Sequence, residues 1–151
     1  MKYFTSEWWS SGCEDESIVE NYQKYYLSIS SKLPNMLRSL EEEHTLHDAN
    51  VKYIKSDLVN SVVIMSLRGW DISLNHQVIY ELIFQGVAEF TQVFPQEGFV
   101  ESELGDLGYW EYEVNDNITM KMLFSSGCQF TVVFDDFEFS NTPVKAQRAA
   151  K

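Results

Sequence analysis

At Asn50 the hydrophobic period of this chain changes, and that change sets the class of fold it can adopt. Upstream, apolar residues recur at spacings of three and four. Ile18, Tyr22, Tyr25 and Ile29, flanked by Val19 and Tyr26, line one face of a helix expected over about residues 14 to 30. Glu14, Asp15 and Glu16 fall at its start, where the helix dipole favours negative charge. Ser31 is expected to cap a second helix with Pro34 in its first turn, where a missing N–H costs nothing. Met36, Leu37 and Leu40 form its apolar stripe, and it should end before His47.

Downstream the period is two. Val51 to Lys55 and Leu58 to Arg68 read as strands joined at the polar break Ser56-Asp57, and the run Val62 to Met65 marks a central strand buried on both faces. Gly69 to Gln77 reads as a loop carrying Trp70, followed by a strand over Val78 to Val87. Residues 88 to 108, punctuated by Pro95 and by glycines at 98, 105 and 108, read as a loop with at most one helical turn. The clearest hairpin follows. Trp110, Tyr112 and Val114 alternate with Glu111 and Glu113, Asn115-Asp116-Asn117 supplies turn chemistry, and Ile118, Met120, Met122 and Phe124 share one face. After the turn Ser125-Ser126-Gly127, the frame Phe130, Val132, Phe134 shifts by one to Phe137, Phe139, which is the mark of a β-bulge at Asp135-Asp136. The expected architecture is α+β: two N-terminal helices packed on one antiparallel sheet of about six strands, a single domain over residues 1–139 with a frayed tail over 140–151.

Composition supports a packed domain and restricts its partners. Of the 151 residues 44% are hydrophobic and 15% aromatic, enough apolar material for one core. Twenty-three Asp and Glu oppose 11 Lys and Arg for a net charge of −12, and residues 91–139 hold ten acidic side chains against one basic. Such a field repels phosphate backbones and anionic membranes and steers basic partners inward. Direct nucleic-acid and membrane partners are therefore not expected. Met1 to Trp9 has a lysine but no apolar run after it, and no stretch approaches the roughly 18 apolar residues of a membrane span, so a cytoplasmic protein is expected. Cys13 and Cys128 lie far apart, outside any CxxC spacing, and read as free thiols.

Few constellations carry chemistry. His44, His47 and Asp48 could supply a metal site if the helix continued through them, but zinc wants a third and usually a fourth ligand, and His76 belongs to another loop. The plainer role for His47 and Asp48 is to tie the helix exit to the first strand by hydrogen bonds to backbone. Glu111, Glu113, Asp135 and Asp136 are abundant carboxylates on what reads as a solvated face, without the spacing of a calcium loop. No GxSxG elbow and no Gly-rich phosphate loop occurs, so no catalytic residue is assigned and no cofactor is expected. Trp110 and Tyr112 beside Glu111, Glu113, Asp135 and Asp136 are the candidate binding surface, within an acidic segment running from Glu97 to Glu138.

The opening Met1-Lys2-Tyr3-Phe4-Thr5-Ser6-Glu7-Trp8-Trp9, the Leu33-Pro34 pair and Leu46-His47-Asp48-Ala49 before two apolar strands together resemble a family of small uncharacterised bacterial proteins. The Leu-His-Asp-Ala turn before antiparallel strands is also similar in pattern to acidic immunity proteins of bacterial toxin systems. The first resemblance implies no activity. The second implies binding and neutralising a basic toxin domain. The expected function is thus a non-enzymatic acidic binding protein with a basic protein partner. The alternatives are a metal-dependent hydrolase centred on His44, His47 and Asp48, and a self-associating structural protein whose aromatic surface forms a homodimer interface.

Overall fold

The computed structural model describes residues 1–95 and 103–145. It is α+β, with three helices and two four-stranded antiparallel sheets in place of the single six-stranded sheet expected from the sequence. The helices are α1 (Ser6–Ser10), α2 (Ser17–Ile29) and α3 (Asn35–Glu43), with a short 3-10 turn over Ser30–Lys32. The strands are β1 (Asn50–Asp57), β2 (Val62–Trp70), β3 (Gln77–Gln85), β4 (Glu89–Val93), β5 (Leu107–Val114), β6 (Ile118–Phe124), β7 (Gln129–Phe134) and β8 (Asp136–Pro143). One sheet runs β1-β2-β3-β8, the other β4-β7-β6-β5.

The frame shift at Asp135-Asp136 is where the chain leaves one sheet for the other, not a bulge in one strand. Strand β7 pairs with β6, with Ile118 opposite Phe134, while β8 pairs with β3, with Gln85 opposite Asp136. Asp135 is the joint. Its N–H donates to the Gln85 carbonyl at 2.9 Å, and Gly86 at φ +62° leaves the space its side chain occupies. A strand that changes sheets must turn its buried face through the gap, so the apolar frame slips by one residue just as at a bulge. Phe134 before the joint and Phe137 after it both meet Phe84 of β3 edge-to-face, with centroids 5.0 and 5.3 Å away. The joint is thereby stitched to the core that the two sheets share.

The structure also corrects several local expectations. Segment 89–93 is an edge strand, β4, paired with β7 in register from Glu89 opposite Val133 to Val93 opposite Gln129. Its partly exposed burial leaves too weak an alternation to read beside Pro95. The tail does not fray at Ser140, because β8 continues to Pro143 and the Val144 N–H donates to the Gln77 carbonyl. Pro34 caps α3 rather than entering its first turn, while Ser31 lies in the 3-10 turn before it. Between β1 and β2 the turn falls at residues 58–61, with Asp57 accepting the Val59 and Asn60 N–H groups, and β2 extends through Trp70.

Helix α2 lies against β5 and α3 against β8, so the helices bridge the two sheets rather than covering one. Tyr22 and Ile29 of α2 and Leu37 and Leu40 of α3 are buried, as their spacing demands, whereas Met36 is exposed. Strand β5 is the edge of its sheet, and an edge strand carries unpaired backbone donors that must be covered. The Tyr112 N–H donates to the Tyr22 hydroxyl at 3.1 Å, so a helix side chain stands where a neighbouring strand would be. Among the described residues no helix is long and apolar enough to cross a membrane.

Candidate functional site

The outer face of β5 organises the part of the molecule where chemistry collects. Glu111, expected in solvent, is 4% exposed. Its carboxylate accepts three backbone N–H groups from the chain's start: Lys2 at 2.5 Å on one oxygen, Tyr3 at 3.0 Å and Phe4 at 3.2 Å on the other. A buried carboxylate is tolerated only when its lone pairs are met, and here the N-terminal segment meets them. That clasp lays residues 1–13 over β5. Phe4, Trp8, Tyr22 and Tyr109 then form a small aromatic cluster, with Phe4 stacked on Tyr109 at 5.2 Å and edge-on to Tyr22 at 4.9 Å. Gly108 permits the approach of α1, since a Cβ there would overlap the Trp9 ring.

Between this cluster, α2 and α3 lies a cleft of about 520 Å³, within the range of small-ligand pockets. Phe4, Tyr22, Tyr109 and Trp110 supply aromatic wall, and Val19 and Leu27 of α2 form an exposed aliphatic rim. Its polar residues include Glu41, Glu42, Tyr26 and His47. Glu41 Oε2 accepts the Trp110 indole N–H at 2.8 Å and the Tyr112 hydroxyl at 3.1 Å. Burial pushes the Glu41 carboxyl above the usual carboxylate range, and these two hydrogen bonds pull the other way while Glu42 adds to the rise. None of the ion pairs among the described residues involves Glu41. Tyr26 contributes a buried hydroxyl without a partner among the described residues. Burial, then the charges of Glu41 and Glu42, push Tyr26 up to about 12, so it is a neutral hydroxyl at physiological pH.

The residues singled out from sequence separate into different roles. Trp110 and Tyr112 meet at Glu41, but Tyr112 is buried and reaches the site only through its hydroxyl. Glu111 is the clasp, and Glu113 is exposed and pairs with Lys121 at 3.6 Å. Asp135 is the sheet-to-sheet joint, and Asp136 is exposed, its carboxylate accepting the Phe137 N–H at 2.8 Å. They do not form one acidic face with Trp110, and Glu97 lies outside the described residues. His44 and His47 part company because α3 stops at Glu43 and His44 is extended. His44 packs edge-on against Tyr80 and Phe139 of one sheet, while His47 Nδ1–H donates to the Gly108 carbonyl of the other at 2.8 Å. Asp48 takes φ +61° at the turn, its N–H donating to the Leu107 carbonyl. Helix exit and β5 are thus tied through backbone. No group of three or more His, Cys, Asp or Glu able to hold a metal ion occurs among the described residues.

No protein-family model matches the chain, and no curated protein matches it. Its function must therefore be argued from the cleft itself. Glu41 is not among the residues singled out from sequence, although a signal for it exists. It stands four residues after Leu37 and next to Leu40, so on a helix with that buried stripe its carboxylate belongs at the apolar boundary rather than in open solvent.

Proposed function

We propose that the protein is a non-enzymatic binding protein that receives a cationic group of a basic protein partner in the cleft between α2, α3 and β5. The observation that carries this reading is the Glu41 carboxylate, held by two aromatic donors, without a cationic partner among the described residues, in a cleft walled by rings. A carboxyl in that setting is costly to keep charged unless a cation arrives. Aromatic faces attract cations through their quadrupoles, and a net charge of −12 steers a basic protein toward the site. Neutralisation of a basic toxin domain, in the manner of an immunity protein, is the form of this function that the sequence resemblance favours. This reading takes the protein to be cytoplasmic. The metal-dependent hydrolase is disfavoured by the separation of His44 from His47.

The test is calorimetric titration of a basic decapeptide into the protein and into two variants of equal net charge, Glu41→Gln and Glu138→Gln. Glu138 is exposed on β8, away from the cleft. Binding that survives Glu138→Gln and falls at least tenfold with Glu41→Gln supports the cleft. Equal weakening by both variants would mean that only the overall field attracts the peptide.

A further inference from the structure

The two oxygens of Glu41 are not equivalent, and the difference bears on which cation the cleft can take. Oε2 already accepts two hydrogen bonds, from Trp110 Nε1 and from the Tyr112 hydroxyl. No hydrogen bond among the described residues engages Oε1. An arginine fork binds a carboxylate by placing parallel N–H groups on both oxygens, and here one of the two is occupied from within the fold. An ammonium is a point charge with rotatable donors and needs only one carboxylate oxygen. Another polar atom of the cleft lining, the Tyr26 hydroxyl, is buried and without a partner among the described residues, so an entering N–H reaches it once the ring turns toward the cleft. As a neutral hydroxyl its oxygen accepts an N–H directly.

Taking the cleft as the binding site proposed above, we infer that it reads a lysine side chain of the basic partner in preference to arginine, with the ammonium held between Glu41 Oε1 and the Tyr26 hydroxyl oxygen. The four methylenes of the lysine lie along the rings of Phe4, Tyr109 and Trp110, where an aliphatic stem is desolvated while its head is paired. Arg38 lies near enough for its charge to oppose the rise at Tyr26, but it does not pair with Glu41. Its guanidinium reaches back to Asn35 on the same helix. A quaternary ammonium would gain the ring contacts but has no N–H for either oxygen.

The experiment follows the indole N–H resonance of Trp110, assigned through Trp110→Phe, in a nitrogen-15 spectrum during titration. The probes are Nα-acetyl-lysine methylamide, the matching arginine compound and the trimethyl-lysine compound, each up to about 20 mM, since one anchored side chain gives affinity on the order of millimolar. The expected result is a shift of this resonance with the lysine compound, affinity at least fivefold above the other two, and loss of that preference in Tyr26→Phe. Arginine or trimethyl-lysine binding as well as lysine, with all binding lost in Glu41→Gln, would overturn the lysine assignment and leave the cleft standing. No shift from any probe would overturn both.

Discussion

Replacing Glu111 with alanine should loosen the whole N-terminal segment, and the size of the effect follows from its three hydrogen bonds. Lys2 is exposed and Tyr3 half-buried, so water can replace the carboxylate at their N–H groups once the segment shifts slightly. The Phe4 N–H cannot be rescued in this way while its ring stays buried against Tyr22 and Tyr109. One buried donor left unpaired costs about 1–3 kcal/mol, and part of two charge-assisted bonds is lost as well. The expected destabilisation is therefore about 2–4 kcal/mol, bounded above by the cost of undocking residues 1–13 altogether. For a chain of this size that lowers Tm by roughly 5–15 °C. Glu111→Gln should fall between, about 1–2 kcal/mol, because one amide oxygen can serve either the Lys2 donor or the Tyr3 and Phe4 pair but not both. Glu113→Ala, two residues on and holding only a surface pair with Lys121, should change stability by no more than about 0.5 kcal/mol. Urea unfolding gives the free energies, and hydrogen exchange at the Phe4 amide reports the clasp itself. A Glu111→Ala loss no larger than that of Glu113→Ala, with an unprotected Phe4 amide in the parent protein, would refute the clasp. Because Phe4 is a wall of the cleft, the same variant should weaken peptide binding.

Other consequences are equally direct. Tyr22→Phe removes the acceptor of the buried Tyr112 N–H at the edge of β5 and should cost about 1–3 kcal/mol by urea unfolding; no loss would mean that the edge finds another cover. Gly108→Ala forces a methyl into the Trp9 ring and should cost about 1–3 kcal/mol or displace α1, with a change in tryptophan fluorescence. At alkaline pH, burial holds Tyr26 and Tyr109 up at about 12 and raises Tyr22 and Tyr112 as well. Their folded values lie above the ordinary 10.0, so the stability they contribute is complete below pH 10 and is lost as pH rises toward 12. Tyrosinate absorbance should therefore rise in a late step together with loss of circular dichroism; ionisation of all eight tyrosines near 10 with the fold intact would contradict this.

What could be read from the chain was what depends on neighbours in sequence. The helical face of Tyr22 and Ile29, the hairpin across Asn115 to Asn117 and the turn after Phe124 all follow from local period and turn chemistry. The division into two sheets was not legible, because a strand that crosses between sheets and a strand with a bulge produce the same one-residue slip at Asp135-Asp136. Glu111 reads as solvated in the sequence because alternation along β5 says which residues share a face, not what covers it. The cover comes from Lys2 to Phe4, more than a hundred positions away. The cleft has the same origin. Its own strand marks Trp110 as a binding residue, but the acid it meets sits on α3, and only the fold brings the two within 2.8 Å.

The most direct test of the central claim is to measure binding and thermal stability together in Glu41→Gln. Burial raises the Glu41 carboxyl, so its charge is disfavoured in the fold, and the stability this group contributes is present at acid pH and lost as pH rises through its folded value. The amide keeps an oxygen for Trp110 and Tyr112 and removes that cost. A site kept for a ligand should therefore give a variant at least as stable as the parent at neutral pH that no longer binds the basic peptide. A variant that melts earlier yet binds unchanged would make Glu41 a structural residue and remove the ground for the cleft as the site of function.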